Sequence, residues 1–429
     1  MAGDREAPPQ RAARPHIVPP APGWRMDARG RPEGWPVLDD VDGALGLTLW
    51  RALRAVWTWV DTPPDRRGGL SQEPTREVRE RLAYAAIEAP ELADAFGTFA
   101  LLARAADVLN GAQLAEACHA VHNWAEGRGI TETAVHFAEA AAHADEEDAS
   151  RANVAGRTCR RAALNERSAA WYVRAFRLSV RAHNRVEAIR ALLGYGALLT
   201  ELGRHREARV VFQRAARRAE RTGRRRQAAE AYHDLLTIAA EIGTIPEAAA
   251  HLRQAIRLYP LRHPALPALA HDWAWLLVRL HHYSAALPLL DLATTGTPRP
   301  AVETVMLATL ARAAAGAGQV ARFEEVEGRV LRLAGLHDEF APAAFIHLAE
   351  AARAFRDWSK AERYANAARE AAQRREHALV LSDSVVLLAR IALREPSPRE
   401  ELVPEPELVR GLTRRLAARL RKWKDIESS

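Results

Sequence analysis

Among the chain's 16 histidines, three sets have a spacing that bears on chemistry. His119 and His122 stand at i, i+3, one helical turn apart, as two ligands of a metal ion would. The sequence offers no closed set of further ligands around them, so they read as surface or groove histidines. His281 and His282 are adjacent in a turn where their side chains diverge, and His263 and His271 flank a Pro-rich helix start; both sets read the same way. There is no GxxxxGK[ST] loop, no GxGxxG between a strand and a helix, no G-x-S-x-G elbow and no HExxH helix. The expectation is a protein that is not an enzyme, with no cofactor and no metal.

Arginine is the other chemistry-bearing residue. Lys and Arg together number 61 against 54 Asp and Glu, a net charge of +7, yet only Lys360, Lys422 and Lys424 are lysines. So lopsided a ratio follows GC-rich, bacterial-style coding, and only clusters of charge carry information. The densest cluster, residues 151–226, holds twenty Arg against five Glu and no Asp. Such a stripe can neutralise phosphates. Its run RRAERTGRRR (217–226) also sits at a helix end, where cations are favoured, and long Arg stems cover apolar surface. Nucleic-acid binding through the stripe 151–226 therefore stands as an alternative, unaccompanied by a helix-turn-helix, a zinc finger or a stacking platform.

These residues need elements to hold them. At 429 residues the chain exceeds one ordinary core, so it is either several domains or an array. Residues 1–37, rich in Pro, Arg and Gly, form a disordered arm. A helical cap follows over 38–111: a Trp-rich helix at 41–60, the breaker DTPPDRRGG, helices near 73–88 and 91–109, and the turn Asn110-Gly111. In the Trp-rich helix Leu45, Leu49, Leu53, Val56 and Val60 share one face, which is expected to dock on the first repeats. Cys118 and Cys159 fall in helical patterns without disulfide or metal spacing, consistent with a reducing cytoplasm. The N-terminus has no apolar leader and no stretch is apolar enough to span a bilayer.

From 112 onward a pattern repeats. Ala134, Ser168, Ala208, Ala248, Ala286, Phe323 and Ala361 are separated by 34, 40, 40, 38, 37 and 38 residues. Seven residues after each stands Ala141, Ala175, Ala215, Ala255, Ala293, Val330 and Ala368, with Tyr172, Phe212, Leu252 and Leu290 between. Small residues at i and i+7 share one helix face and let a partner helix approach; the large residue at i+4 fills the gap.

This pattern resembles the tetratricopeptide repeat (TPR) family, most closely at 190–223, where Gly196, Leu199, Gly203, Ala208, Phe212 and Ala215 occupy signature positions; Gly156, Tyr172 and Ala175 mark the preceding unit. The resemblance covers 112–394 and implies an all-α, right-handed α-solenoid of about seven TPR-like helix pairs with helical caps at both ends. Spacings above the family's ~34 residues imply helices about a turn longer. Phe323 and Glu327 break the small-residue rule in the unit at 300–335. An acidic Pro-rich linker and a C-terminal capping helix complete the chain over 395–429.

The resemblance also assigns the concave lining, position by position, to His119, Asn123, Asn153, Arg157, Arg160, Arg190, Thr200, His233, Thr237, His271 and Trp275. Asn with paired Arg on one face is what a carboxylate requires. The expected function is a cytoplasmic, non-catalytic scaffold or adaptor for protein–protein interaction, binding a peptide or partner helix with an acidic or carboxylate-bearing segment. A peptide-sensing regulator acting with a transcription or signalling partner is the alternative.

Overall fold

The structure, a computed structural model, describes residues 40–70, 75–242, 244–295, 300–335, 340–375, 377–398 and 406–427. The arm at 1–37 lies outside the described residues. Every regular element among them is helical. Helices α1 (Gly43–Asp61), α2 (Thr75–Glu88) and α3 (Ala93–Arg104) form the N-terminal cap. The helix expected over 91–109 is shorter, opening on a 3-10 turn at Pro90–Leu92 and stopping at Arg104.

Seven antiparallel pairs follow: α4 (Gly111–Arg128) with α5 (Thr131–Ala144), α6 (Ala149–Arg161) with α7 (Asn165–Arg181), α8 (Arg185–Glu201) with α9 (His205–Arg221), and α10 (Arg225–Ile242) with α11 (Ile245–Leu258). The later pairs are α12 (Leu266–Arg279) with α13 (Tyr283–Thr294), α14 (Pro300–Gly316) with α15 (Val320–Ala334), and α16 (Ala341–Ala354) with α17 (Trp358–Arg374). A first helix without a second, α18 (Ala378–Ala392), packs on α16 and α17, and α19 (Glu407–Glu427) ends the chain. The extra repeat length is spent in the middle, where α7 to α10 run 17 or 18 residues.

Close approach between helices is set by glycine facing aromatic rings. A Cβ on Gly196 would lie 2.5 Å from the Phe212 ring, and one on Gly194 would lie 2.1 Å from Tyr172. Helix α8 is thus pressed between the ring of its own partner helix α9 and that of α7 in the preceding unit. The irregular unit works differently. Phe323 is buried against Phe355, with centroids 5.3 Å apart, and Glu327 accepts from Lys360 Nζ at 3.2 Å and from Tyr364 Oη at 2.9 Å in the next unit. A buried ion pair with a second hydrogen bond replaces the missing small residue.

The turns repeat as well. After α4, α6, α7, α8, α9, α12, α14, α16 and α18 the chain leaves through a residue with φ between 51° and 76°: Gly129, Ala163, His183, Gly203, Gly223, His281, Gly318, Arg356 and Arg394. Each next amide closes a six-residue ring onto the helix, as Leu164 N does on Cys159 O at 2.8 Å and Arg204 N on Leu199 O at 2.8 Å.

The ends are tied down by polar contacts. Asp40 accepts from Thr133 N at 2.9 Å and Thr133 Oγ1 at 2.6 Å, capping α5 from the far side of α1, and Trp59 Nε1 donates to Ala106 O at 2.8 Å. The apolar face of the Trp-rich helix is buried in one cluster with Ala134, Phe137 and Ala141 of α5. The C-terminal helix is not where a terminal cap was expected. It lies along α11, α12 and α13, with Leu412, Leu416, Leu420 and Trp423 in their core and Trp273 Nε1 donating to Thr413 Oγ1 at 2.9 Å. The preceding linker directs it there: fully buried Arg353 donates to Glu395 O and Pro396 O, and Tyr283 Oη donates to Pro398 O at 3.3 Å.

Two stability outcomes follow. Gly196→Ala improves intrinsic helix propensity by about 1 kcal/mol, yet the Phe212 clash is expected to dominate and lower urea-unfolding stability by about 1–3 kcal/mol. Ala163→Gly relieves a left-handed alanine and should raise stability by about 0.5–1 kcal/mol in the same assay.

Candidate functional site

The first helices of the pairs face inward, and the array curls until its far end meets its early turns. Arg375 donates to the carbonyl of Arg161 at 2.5 Å across 214 residues of sequence. A Cβ on Gly203 would lie 3.7 Å from that of Ala378. The curl encloses a cavity of about 570 Å³ on the inner faces of α8, α10, α12, α14, α16 and α18.

Three kinds of side chain line it. Trp275, Val305, Ile346, Val386 and Leu387 supply apolar surface. Glu201, Glu241, Asp272, Glu350 and Asp383 supply carboxylates, against the guanidinium groups of Arg279, Arg312 and Arg390. Several are matched within the wall: Arg279 pairs with Glu241 at 2.5 Å and lies 5.1 Å over the Trp275 ring, and Glu350 takes Arg353 at 2.7 Å.

A chain of hydrogen bonds runs behind the lining. His233 Nε2 meets Asp272 Oδ2 at 2.8 Å, and His271 Nδ1 meets Asp272 Oδ1 at 2.8 Å. His271 Nε2 meets Thr309 Oγ1 at 3.0 Å, and Thr309 Oγ1 meets His347 Nε2 at 3.4 Å. Four first helices, α10, α12, α14 and α16, are thereby linked. Burial alone would raise the Asp272 carboxyl, but the hydrogen bonds from His233 and His271 outweigh it and hold the group well below the usual range. Burial drives the His347 imidazole the other way from its ordinary value, well down, with Arg312 adding to the effect.

Other carboxyls nearby are pushed up. Burial, reinforced by Glu230 and Asp272, lifts Asp234 to about 7. Burial also raises Glu241 in spite of its pairing with Arg279, and raises Asp383 against the opposing pull of Arg279 and Arg312. Two of these raised carboxyls, Glu241 and Asp383, line the cavity, so its wall gains negative charge as pH rises.

The residues assigned to the concave lining divide into two groups. Thr200, Thr237, His271 and Trp275 border the cavity, with His233 in the hydrogen-bonded chain behind it. The others lie toward the N-terminal units, most of them in internal contacts. Asn153 is buried and donates to Glu187 O at 3.0 Å and Glu187 Oε2 at 2.8 Å. Arg160 pairs with Glu201, Arg190 with Glu187 at 2.5 Å, and Arg157 lies 3.7 Å from Glu126. His119 stacks on His122 with centroids 5.5 Å apart, while Asn123 is exposed. Asn153, Arg157 and Arg160 thus hold neighbouring repeats in register and do not form an open carboxylate fork.

Asp272, Arg312, His347, Glu350, Asp383 and Arg390 are among the lining residues that the sequence reading passed over, with Glu201, Glu241 and Arg279. Their signal was present as helical spacing from residues already chosen: Asp272, Trp275 and Arg279 lie one turn apart, as do Asp383, Val386, Leu387 and Arg390. The reading stopped at Trp275 on α12, in the fifth pair, and gave α14, α16 and α18 no part in the lining.

Residues 187–260 match the tetratricopeptide repeat family. No curated protein matches the chain. Among solved structures, one from a functional characterisation of Pseudomonas aeruginosa pilF is 19% identical, covering 53% of this chain and 96% of that one with a TM-score of 0.36. The Rap conjugation gene regulator of the plasmid pLS20, solved with the Phr* peptide, is 14% identical over 83% of this chain and 99% of its own, with a TM-score of 0.39. A Rap protein complexed with competence and sporulation factor is 12% identical over 89% and 98%, with a TM-score of 0.37. The family match falls on α8 to α11, and antiparallel helix pairs of the same kind continue on both sides of it, from Gly111 to Arg374.

Proposed function

We propose that the chain is a non-catalytic protein-interaction scaffold whose inner cavity takes an extended segment of a partner protein. The observation that carries this reading is the cavity itself. Six successive first helices present apolar side chains beside charged ones in a space of about 570 Å³. That is the size and chemistry of a site for a few side chains. The repeat architecture supplies such concave surfaces generally.

The charge of the lining selects among segments. Glu201, Glu241 and Glu350 are met by Arg160, Arg279 and Arg353, and Asp272 by His233 and His271, which leaves Asp383 as the lining carboxylate that a cationic side chain of the segment would meet. An apolar neighbour of that cation would lie against Trp275 and Ile346. This replaces the carboxylate-bearing segment expected from Asn153, Arg157 and Arg160, because those groups are occupied by Glu187, Glu126 and Glu201.

Selection of displayed random peptides on the full chain tests the proposal. The expected enrichment is Arg or Lys adjacent to an apolar residue, and Trp275→Ala with Asp383→Asn should weaken a selected peptide at least tenfold, a change of about 1.4 kcal/mol. Arg157→Gln should leave affinity within about twofold of the parent. Selected peptides that bind the double variant as well as the parent would place the site elsewhere.

The raised carboxyls give a second outcome. Burial lifts Asp234 to about 7 and raises Glu241 and Asp383 from their ordinary values, so as pH falls these groups take up protons earlier than free carboxyls would and the attraction for a cation fades. Affinity for a selected Arg-containing peptide, measured by calorimetry, should therefore fall between pH 8 and pH 5. A flat profile over that range would remove these carboxyls from the binding step.

A further inference from the structure

The arginines of the stripe 151–226 separate by side. Those facing inward or between repeats have carboxylate partners: Arg151 with Glu116, Arg161 with Glu126, and Arg167 with Glu139. On the outer face of α9 the situation is reversed. Arg206, Arg214, Arg217 and Arg221 are exposed, surround the exposed Val210, and fall within one sector of the helix. None has an ion-pair partner among the described residues.

The turn and the neighbouring helices extend the same surface. Arg224 and Arg225 are exposed at the start of α10, and Arg225 donates to the carbonyl of Arg257 at 3.5 Å near the end of α11. Arg253 and Arg257 are exposed there. Arg419 of α19 donates to the carbonyl of Tyr259, which brings the exposed Arg415, Arg421 and Lys422 to the same end of α11.

The carboxylates of these segments are already engaged. Glu207 takes Arg204, Glu220 takes Tyr232, Glu230 takes Arg226, and Glu247 takes Arg209. Glu220 keeps its charge beside Arg217 and Arg221, because its partner Tyr232 is neutral, and the outward arginines make the rest of this surface, on the side opposite the cavity, predominantly cationic.

We propose that this outer face, formed by α9, the start of α10, the end of α11 and the middle of α19, binds the phosphate backbone of nucleic acid without reading its sequence. The helix-end explanation accounts for two of the groups, since only Arg221 and Arg225 of the outward set donate to a backbone carbonyl. The remainder have no structural task. From Arg206 to Arg221 the α9 row extends about 22 Å, alongside roughly a dozen phosphate charges of a duplex.

Two other polyanions fit less well. An anionic membrane surface needs an apolar wedge beside the cations, and here Val210 stands alone. A protein interface needs a buried aromatic or aliphatic centre, and no exposed aromatic lies within the patch. With no stacking ring to read bases, contacts go to phosphate and sugar.

The test is fluorescence anisotropy of the full chain with a labelled 20-base-pair DNA duplex and a labelled 20-nucleotide RNA, from 50 to 200 mM salt. Polyglutamate and phosphatidylserine vesicles serve as competing polyanions. Binding should weaken about 100-fold or more over that range, as neutralising four to five phosphates requires. Arg217→Glu/Arg221→Glu/Arg257→Glu should reduce affinity at least 30-fold with helical circular dichroism unchanged, and the corresponding triple Lys variant should retain it. The cavity variant Trp275→Ala/Asp383→Asn should bind nucleic acid like the parent, so failure of the cavity reading and failure of this one are separable. Equal affinity of parent and Glu variant, or competition by polyglutamate or vesicles as strong as by unlabelled nucleic acid at equal charge, would overturn the proposal.

Discussion

Two helices can stack into an array of this kind only if their backbones come close, and that closeness depends on what stands between them. At α8 the separation is set by Gly194 under Tyr172 and Gly196 under Phe212, and the same device recurs with Gly156 of α6 under Tyr172 and Gly316 of α14 under Tyr283. Much follows from this contact. It fixes which face of each helix is buried and so turns the first helices inward. It also limits core growth to nearest neighbours, which is why a chain of 429 residues needs no central core. Where Phe323 and Glu327 break the pattern, a buried carboxylate held by Lys360 and Tyr364 takes over the spacing.

Apolar packing of small residues tolerates sliding, and a second set of contacts removes that freedom. Asn153 reaches Glu187 across 34 residues, His233 reaches Asp272 across 39, His271 reaches Thr309 across 38, and Tyr364 reaches Glu327 across 37. These separations are the repeat length itself. Each polar group meets its counterpart one unit along, and a register shift would strand buried donors at a cost of about 1–3 kcal/mol each. The closure of Arg375 onto Arg161 adds a contact of another kind. It couples early and late units directly, so the cavity is bounded by residues that nearest-neighbour stacking alone would leave apart.

The legible part of this design was its periodicity. Small residues at i and i+7 identified the second helices, and the glycine-bearing turn was visible at Gly203, Gly223 and Gly318. The same left-handed turn at Ala163, His183, His281 and Arg356 carries no glycine, so its repetition appeared only as geometry. The docking of α1 could be read from its single apolar face. The place of α19 could not, since an apolar stripe on Leu412, Leu416 and Leu420 states that the helix is covered and says nothing of where. Its position depends on Arg353 fixing the linker, a long-range contact without a local pattern. For the site, the inward positions on α8, α10 and α12 were legible, whereas the pairing of Asn153, Arg157 and Arg160 with glutamates 31 to 41 residues away in sequence was not.

The same pairing explains why total charge was a poor guide. An arginine placed between repeats is partly desolvated, and leaving it unmatched costs far more than leaving one in water. Inward arginines are therefore accompanied by glutamates, and what those positions present to a ligand is close to neutral or acidic. On the outer face the penalty vanishes, an exposed ion pair contributes little, and stability places no demand for matching carboxylates. Arginine placed on both sides of the array thus yields a charge-matched interior and a basic exterior. The two faces stay separate because α9 offers Phe212 and Ala215 to the core and Arg214 and Arg217 to solvent within two turns.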